Sequence, residues 1–260
     1  MTVKKLAILP AILALSACGG GSGGGTANPV VSYSTLKVFS DGAGVGSGVS
    51  EDGSKAVFIA PEIATTVAEA SDVTQQDIAD INVSDFPVVQ TLSTNANLRE
   101  GTLTVDNVTV NVTAVEDLGG EAGLVILEIP NALSAGMATG TALTGNPIGT
   151  QTYSGTMTMG VRGVSPNQEL GSFTMGADFN NETYTFNGST TNNSLSGNGV
   201  IDIEAGTFSS NNLSATTNGT NRTATMYGQL HGNDAKSVSG VFHTNENSAD
   251  YAGGFVGSRP

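Results

Sequence analysis

The sequence predicts a mainly β protein: a C-terminal eight-stranded antiparallel up-and-down β-barrel preceded by a smaller β-rich N-terminal domain with one short helix. The composition supports this class, because 35 glycines and no tryptophan stand among many Asn, Ser and Thr residues, as in chains with many strands and turns. The stronger observation is periodicity. From residue 150 onward, apolar residues alternate with small polar ones in segment after segment, which is typical of strands with one buried face.

The chain begins with a segment that predicts export. Lys4 and Lys5 form a short positive region, Leu6 to Leu15 an apolar run, and Ser16-Ala17 a pair of small residues before Cys18. An apolar run of about ten residues is too short to span a membrane as a helix and is typical of a secretory signal. Residues 1–17 are therefore predicted to be a signal peptide.

The tetrapeptide LSAC at residues 15–18 resembles the bacterial lipobox. The resemblance implies that Cys18 becomes the new N-terminus and carries acyl chains, followed by a flexible Gly/Ser tether up to residue 29. No acidic residue directly follows Cys18, a pattern similar to that of lipoproteins sent to the outer membrane. The pattern does not decide whether the protein is exposed on the cell surface. The alternative is an ordinary signal peptide with an incidental cysteine.

The charge of the chain limits its partners. Nine basic residues stand against 23 acidic ones, and loss of Lys4 and Lys5 with the signal would leave seven basic residues. This acidic surplus argues against nucleic acid and anionic lipid as partners. Because Cys18 is the single cysteine, stability must come from strand pairing and burial rather than from disulfides.

The N-terminal domain is predicted to span residues 30–147. Its expected elements, in order, are strands near 33–39, 45–50 and 56–60, a helix at 61–79, and strands at 101–115 and 123–129. The helix is indicated by Pro61, suited to a first turn, and by apolar residues that approximate one face: Ile63, Val67, Ala70, Val73 and Ile78. The later strands are expected to pair across Asp106-Asn107 through Leu103, Val105, Val108, Val110 and Val112.

A cluster of turn residues at Gly145-Asn146-Pro147-Ile148-Gly149 marks the predicted boundary between the two domains. Four aromatic residues precede it and ten follow it, which indicates that the second part has a different core. The barrel domain is therefore predicted to span residues 150–260.

Alternation predicts which barrel residues share a face. One strand presents Tyr153, Gly155, Met157, Met159 and Val161, and the next presents Phe173, Met175, Ala177 and Phe179. A hairpin turn is expected at Asn180-Asn181, followed by Tyr184 and Phe186 and then by Gly199, Ile201 and Ile203, with Val200, Asp202 and Glu204 facing solvent. Phe208 and Leu213 are out of phase, which predicts a bulge. Three further runs cover 222–232, 236–244 and 250–258. A two-sheet sandwich is the competing architecture.

The segment MYGQLHGNDAKSVSGVFHTNENSADYAGGFVGSRP, residues 226–260, resembles the closing hairpins of the transferrin-binding protein B family of surface lipoproteins. The matching residues are Gly228, Gly232, Ala235, Gly240, Phe242, Gly253, Gly254, Phe255, Gly257 and Arg259. The resemblance implies an eight-stranded barrel in which glycines allow strands to cross closely and phenylalanines fill the interior. It also implies a lipid-anchored protein from a group that binds transferrin, haemoglobin, haem carriers or complement regulators. The N-terminal half departs from the two-lobed plan of that family, because only one barrel pattern is present, and it is expected to correspond to the small handle domain that precedes a barrel there.

Catalytic and metal-binding patterns are not found in the sequence, so no enzyme, cofactor or metal is predicted. His231 and His243 are expected on adjacent strands roughly 15 Å apart at about 3.3 Å per residue, as outward-facing solvated side chains that cannot share a metal. The glycine-rich segment 42–48 lacks the Lys-Ser/Thr ending of a phosphate loop and is followed by a strand pattern. No Ser lies in a GxSxG frame, and no DxDxDG calcium loop occurs.

Two function classes follow. In the first, the protein is a binding module that captures an iron carrier, haem or another host or environmental ligand. In the second, it is a structural envelope lipoprotein that interacts with a membrane partner. Binding is expected at the barrel loops, which are predicted at 163–170, 189–198 and 216–221. These loops are polar and contain no aromatic residue, which counts against a tight protein interface.

Overall fold

The computed structural model describes residues 30–38, 44–50, 55–60, 83–105, 108–119, 121–128, 135–161, 168–217, 219–244 and 251–260. The predicted signal peptide, the predicted lipidation site Cys18 with its tether, and the predicted helix at 61–79 lie outside the described residues. Within these ranges, no helix has the length and hydropathy needed to cross a bilayer.

The N-terminal part forms one antiparallel sheet of eight strands. Along the chain these are β1 (Val30–Val38), β2 (Gly44–Ser50), β3 (Lys55–Ala60), β4 (Val88–Leu92), β5 (Ala96–Val105), β6 (Val108–Asp117), β7 (Ala122–Glu128) and β8 (Ala135–Gly140). In space the order is β1-β2-β3-β8-β7-β6-β5-β4. A 3-10 helix, Val83–Asp85, precedes β4. We call these eight strands the N-terminal sheet.

The register of the N-terminal sheet confirms the predicted hairpin. Leu103 lies opposite Val110, and Val105 lies opposite Val108, so the alternating valines pair as expected. The glycine-rich segment 44–48 is part of β2, which pairs with both β1 and β3. Strands β4 and β8 were not predicted, because their sequences VVQTL and AGMATG show little period-two alternation.

The C-terminal part forms a closed barrel. Its strands are β10 (Thr150–Val161), β11 (Gln168–Asp178), β12 (Thr183–Ser189), β13 (Asn193–Asp202), β14 (Thr207–Thr217), β15 (Thr220–Asn233), β16 (Ser237–Thr244) and β17 (Tyr251–Ser258), and the short β9 (Leu143–Thr144) adds to β15. Each barrel strand pairs antiparallel with the next, and β17 pairs with β10. This last pairing closes the barrel, so the predicted architecture is confirmed and the sandwich alternative is wrong.

The bulge predicted between Phe208 and Leu213 is present in β14. The register of β14 against β15 shifts between Ser210 and Leu213, and both Phe208 and Leu213 face the interior and are buried. One extra residue in β14 lets two side chains of opposite phase in the sequence face the same core.

The interior of the barrel is a packed core of aromatic and sulfur-containing side chains. The rings of Phe173, Phe186 and Phe255 lie 4.9 to 5.2 Å apart between centroids, and the Phe208 ring lies 6.0 Å from that of Phe255. These separations are typical of favourable ring contacts. The outer face of β13 is in contact with solvent, as predicted: Val200 is 61% exposed.

The N-terminal sheet packs against the outside of the barrel at β16 and β17. A second core cluster joins Leu124 and Ile126 of β7 to Val241, Ala252 and Val256, whose side chains point away from the barrel interior. As a result every residue of β16 is buried. The barrel is therefore covered on one side and exposed on the side formed by β12 to β14.

Candidate binding surfaces

Three glycines of the C-terminal motif make room for aromatic rings inside the barrel. A Cβ at Gly228 would overlap the Phe208 ring, a Cβ at Gly240 would lie 2.6 Å from Cζ of Phe255, and one at Gly253 would lie 2.7 Å from Cζ of Phe242. Separations this short do not occur between real carbon atoms, so a methyl group at any of them would displace a core ring. Gly and Phe are thus paired across neighbouring strands.

The remaining motif glycines have other surroundings. Gly254 faces outward, where Leu124 of the N-terminal sheet packs over it, and Gly257 lies against the β10 backbone at Ser154. Gly232 has a φ of 73° and precedes the turn from β15 to β16, a conformation that glycine adopts readily. The motif residues therefore lie in the core, at the interface with the sheet and in a turn.

The loops expected to bind a ligand are shorter than predicted. Residues 193–198 belong to β13, residues 168–170 to β11, and residues 216, 217, 220 and 221 to β14 and β15. The runs of Asn, Ser and Thr in these segments were interpreted as loops, although their side chains alternate across a strand. We call the end of the barrel that carries the connections after β10, β12, β14 and β16 the loop end.

One connection at the loop end is held by a single carboxylate. Glu169 Oε2 accepts hydrogen bonds from Thr190 Oγ1 at 2.6 Å, from the Asn192 backbone N–H at 3.0 Å and from Asn193 Nδ2 at 2.9 Å. Asn192 Nδ2 donates to the other carboxylate oxygen at 2.5 Å. These donors, Thr190 foremost, lower the pKa of Glu169. The connection between β12 and β13 is consequently ordered by β11.

The opposite end of the barrel has tight turns, and we call it the turn end. At the predicted Asn180-Asn181 turn, Asp178 accepts hydrogen bonds from both backbone N–H groups, each at 3.1 Å, and from Asn181 Nδ2 at 2.7 Å. The Asn181 side chain is the main cause of the lowered pKa of Asp178. This local capping is the reason that Asx residues are favoured in turns, and the prediction of a turn here is confirmed.

The prediction that both histidines are solvated is wrong. His231 and His243 do point outward from the barrel, but the N-terminal sheet covers that side and both are fully buried. One ring nitrogen of His231 lies 2.9 Å from the Thr141 carbonyl oxygen and the other 2.7 Å from Ser239 Oγ. His243 is paired opposite Thr225, six positions from His231 along β15, or about 20 Å at about 3.3 Å per residue.

A buried carboxylate also joins the N-terminal sheet to the barrel, and the strand pattern of the sequence does not predict it. Asp117, at the end of β6, is 2% exposed and accepts hydrogen bonds from Ser237 Oγ and Ser258 Oγ, each at 3.1 Å. Burial raises the pKa of Asp117, and hydrogen bonds from Gly119, Ser237 and Ser258 oppose that rise. A signal was available: β16 and β17 contain no charged residue on either face, which indicates a covered outer surface.

In the part of the barrel that the structure describes, side chains fill the interior, so a surface that could bind a ligand lies on the outside of the barrel or on the N-terminal sheet. Within the described residues, no group of three His, Cys, Asp or Glu side chains is arranged to hold a metal ion. Among the described residues of the loop end, the connection at 190–192 presents exposed polar side chains. The turn end contains a cavity with two basic side chains, which is described below.

Comparison with known proteins finds similarity at the level of structure. No family model matches the chain, and no curated protein sequence matches it. The apo haemoglobin receptor HpuA from Kingella denitrificans is similar with a TM-score of 0.49 at 14% identity, over 88% of this chain and 86% of that chain.

Transferrin binding protein B from serogroup B Neisseria meningitidis has a TM-score of 0.49 at 13% identity, over 84% of this chain and 50% of that chain. The N-lobe of lactoferrin binding protein B of Moraxella bovis has a TM-score of 0.35 at 14% identity, over 54% and 75%. The eight-stranded barrel implied by the resemblance of residues 226–260 is present in this chain, closed by its own strand pairing.

Proposed function

We propose that the protein is a non-catalytic, lipid-anchored lipoprotein of the outer membrane that binds a protein ligand of the iron-carrier class. The observation that carries this proposal is the C-terminal motif, whose Gly and Phe residues pair inside a closed barrel as the family resemblance implies. Because the interior is packed, ligand contact belongs to the outer surface, which suits a macromolecule more than an enclosed small molecule.

The anchor rests on the LSAC motif and the Gly/Ser run that follows it. Replacement of Cys18 by Ala should abolish labelling by a fatty-acid analogue and leave the signal uncleaved by the lipoprotein peptidase. Labelling that continues unchanged in Cys18→Ala would contradict the anchor. Treatment of intact cells with a protease then decides whether the anchored chain faces the exterior.

The loop end is the proposed contact surface. Its connection at 190–192 is ordered in advance by Glu169, and an ordered contact loop lowers the conformational entropy lost on binding. Asn192 is exposed at this end, and Asn180 is exposed at the turn end. These two asparagines provide a matched pair for testing which end binds.

The test uses the chain from Gly19 onward, immobilised and exposed in turn to transferrin, lactoferrin, haemoglobin and free haem. Saturable binding of one protein that is weakened at least about tenfold by Asn192→Arg, and is unchanged by Asn180→Arg, is the expected result. Failure to bind any of the four, together with copurification of a membrane protein from envelope extracts, would favour the alternative role as a structural envelope lipoprotein.

A further inference from the structure

An open cavity of about 530 Å³ lies at the turn end of the barrel. It is lined by Gln151 and Thr152 at the start of β10, by Lys236 in the turn before β16, and by Arg259 and Pro260 after β17. Strand pairing explains why these residues meet. Ser154 pairs with Ser258, and the Arg259 backbone N–H donates to the Lys236 carbonyl oxygen at 3.1 Å.

Two of the five residues that line the cavity are basic, although the protein as a whole is acidic. Lys236 and Arg259 are two of the nine basic residues of a chain with 23 acidic ones, and no Asp or Glu side chain is among the lining residues. The nearest carboxylate to Lys236 is that of Glu121, whose Oε1 lies 3.9 Å from Nζ. Its other oxygen, Oε2, accepts a hydrogen bond from Thr141 Oγ1 at 2.7 Å.

Lys236 is held in place by the N-terminal sheet. Its Nζ donates to the Gly119 carbonyl oxygen at 3.1 Å, yet the side chain remains 45% exposed, so it can still donate to a second acceptor. The nearby Tyr153 hydroxyl does not use the Lys236 ammonium as a partner, because it donates to the Ala235 carbonyl oxygen at 2.6 Å. The ammonium group of Lys236 is therefore positioned at the cavity wall by a hydrogen bond to a backbone carbonyl, and Glu121 is too far away to accept a hydrogen bond from it.

We propose that this cavity binds a small oxyanion, a phosphate or carboxylate group, between Lys236 and Arg259. Arginine presents a planar fork that matches two oxygens of such an anion, and lysine adds a compact charge. Gln151 and Thr152 supply neutral donors. The volume lies within the range of small-molecule sites, about 300 to 1,000 Å³. This inference is independent of the protein ligand proposed above, which is assigned to the opposite end.

The test is a chemical-shift titration of the chain from Gly19 onward with sodium phosphate and, separately, with citrate, at ionic strength held constant with sodium chloride. Saturable shifts at the amides of Gln151, Thr152, Lys236 and Arg259 are expected. Arg259→Gln should weaken the affinity by about tenfold or more, the effect of removing one charge-assisted hydrogen bond. Arg259→Lys, which keeps the charge but not the fork, should give a smaller loss.

The matched control is Arg222→Gln, because it removes the same charge near the loop end, where Arg222 pairs with Ala215. It should leave the affinity unchanged, because Arg222 lies at the opposite end of the barrel and charges separated by more than about 10 Å through solvent are largely screened at moderate salt. Equal losses in Arg222→Gln and Arg259→Gln would show a general charge effect and overturn the proposal. Chemical shifts that change linearly with the concentration of both anions, without saturating, would also overturn the proposal. Saturation by phosphate alone or by citrate alone would support the site and identify the preferred anion.

Discussion

At the scale of single residues, carboxylates perform opposite electrostatic roles in this protein. Asp117 is buried between the N-terminal sheet and the barrel, and burial raises its pKa. Glu169 is near solvent and accepts several hydrogen bonds, which lower its pKa. A raised pKa means that the ionised form is disfavoured by folding, whereas a lowered pKa means that it is favoured. The two residues therefore contribute opposite pH dependences to stability.

Replacement of Asp117 by Asn is expected to change the pH dependence of stability. Because the pKa of Asp117 is raised in the folded state, its stabilising contribution is fully present below the unfolded pKa and is lost as the pH rises through the folded pKa. The free energy of unfolding of the wild type should therefore fall relative to Asp117→Asn over that window. Urea unfolding of both proteins from about pH 4 to about pH 8 checks this, and parallel profiles would contradict it.

Replacement of Glu169 by Gln is expected to loosen the connection at 190–192. In the wild type the lowered pKa means that the contribution of Glu169 is present above its unfolded pKa and is lost as the pH falls through the folded pKa. Hydrogen exchange at the Asn192 amide, which donates to Glu169, should be about tenfold less protected in Glu169→Gln, as expected for one weakened charge-assisted bond. The Asn181 amide at the turn end serves as an unaffected reference.

At the scale of strands, alternation predicted the inner faces of the barrel well. Met157, Phe173, Phe186 and Phe255 are buried as expected, because a residue that fills the interior must be apolar whatever the surroundings of the barrel. The outer faces were harder to predict. His231 and His243 look solvated in a strand pattern, and they are buried because the N-terminal sheet, distant in the sequence, packs over β15 and β16.

The polar contacts between sheet and barrel could not be predicted for the same reason. Asp117 is more than a hundred residues from both Ser237 and Ser258 in the sequence, and each of the three resembles an ordinary surface residue in its own strand. Their meeting depends on how two sheets pack, which a period-two pattern does not encode. The cavity at the turn end likewise depends on closure, because Gln151 and Arg259 are neighbours only when β10 pairs with β17.

Truncation of Phe242 to Ala is expected to destabilise the protein by about 3–5 kcal/mol, the usual effect of removing a buried phenylalanine ring. Phe242 is buried on β16, and its ring occupies the space left by Gly253 on β17. Chemical unfolding provides the measurement. Val200→Ala, on the exposed outer face of β13, is the matched control and should change stability by less than about 0.5 kcal/mol. Similar losses in the two variants would contradict the inward assignment of Phe242.

At the scale of the whole molecule, the N-terminal sheet and the barrel share an interface that combines apolar and polar contacts. Leu124 and Ile126 bury Val241 and Val256, and Asp117 and His231 add hydrogen bonds. The ladders that join the eight barrel strands to one another, however, all lie within residues 150–258, and β9 adds only a short parallel ladder to β15. The barrel thus has complete strand pairing without the sheet but depends on it to cover an apolar surface.

A fragment of residues 150–260 is expected to fold and to give a strand-dominated circular dichroism spectrum. Loss of the N-terminal sheet exposes Val241, Ala252 and Val256 together, so the fragment should self-associate. Sedimentation analysis should show association that is reduced by Val241→Ser combined with Val256→Ser. An unfolded fragment would contradict the predicted boundary near residue 147, and a monomeric wild-type fragment would contradict the importance of the covered face.

The pairing of β10 with β17 also affects the order in which the molecule can form during synthesis. Ser154 and Ser258 are partners, so the contact that closes the barrel joins its first and last strands and requires a loop of about 100 residues, a slow step in folding. Until β17 (Tyr251–Ser258) has left the ribosome, β10 and β16 remain open sheet edges that can pair with other chains. A nascent chain of this protein therefore stays incompletely folded until β17 has emerged, and an incompletely folded polypeptide is the form that a membrane translocon can thread.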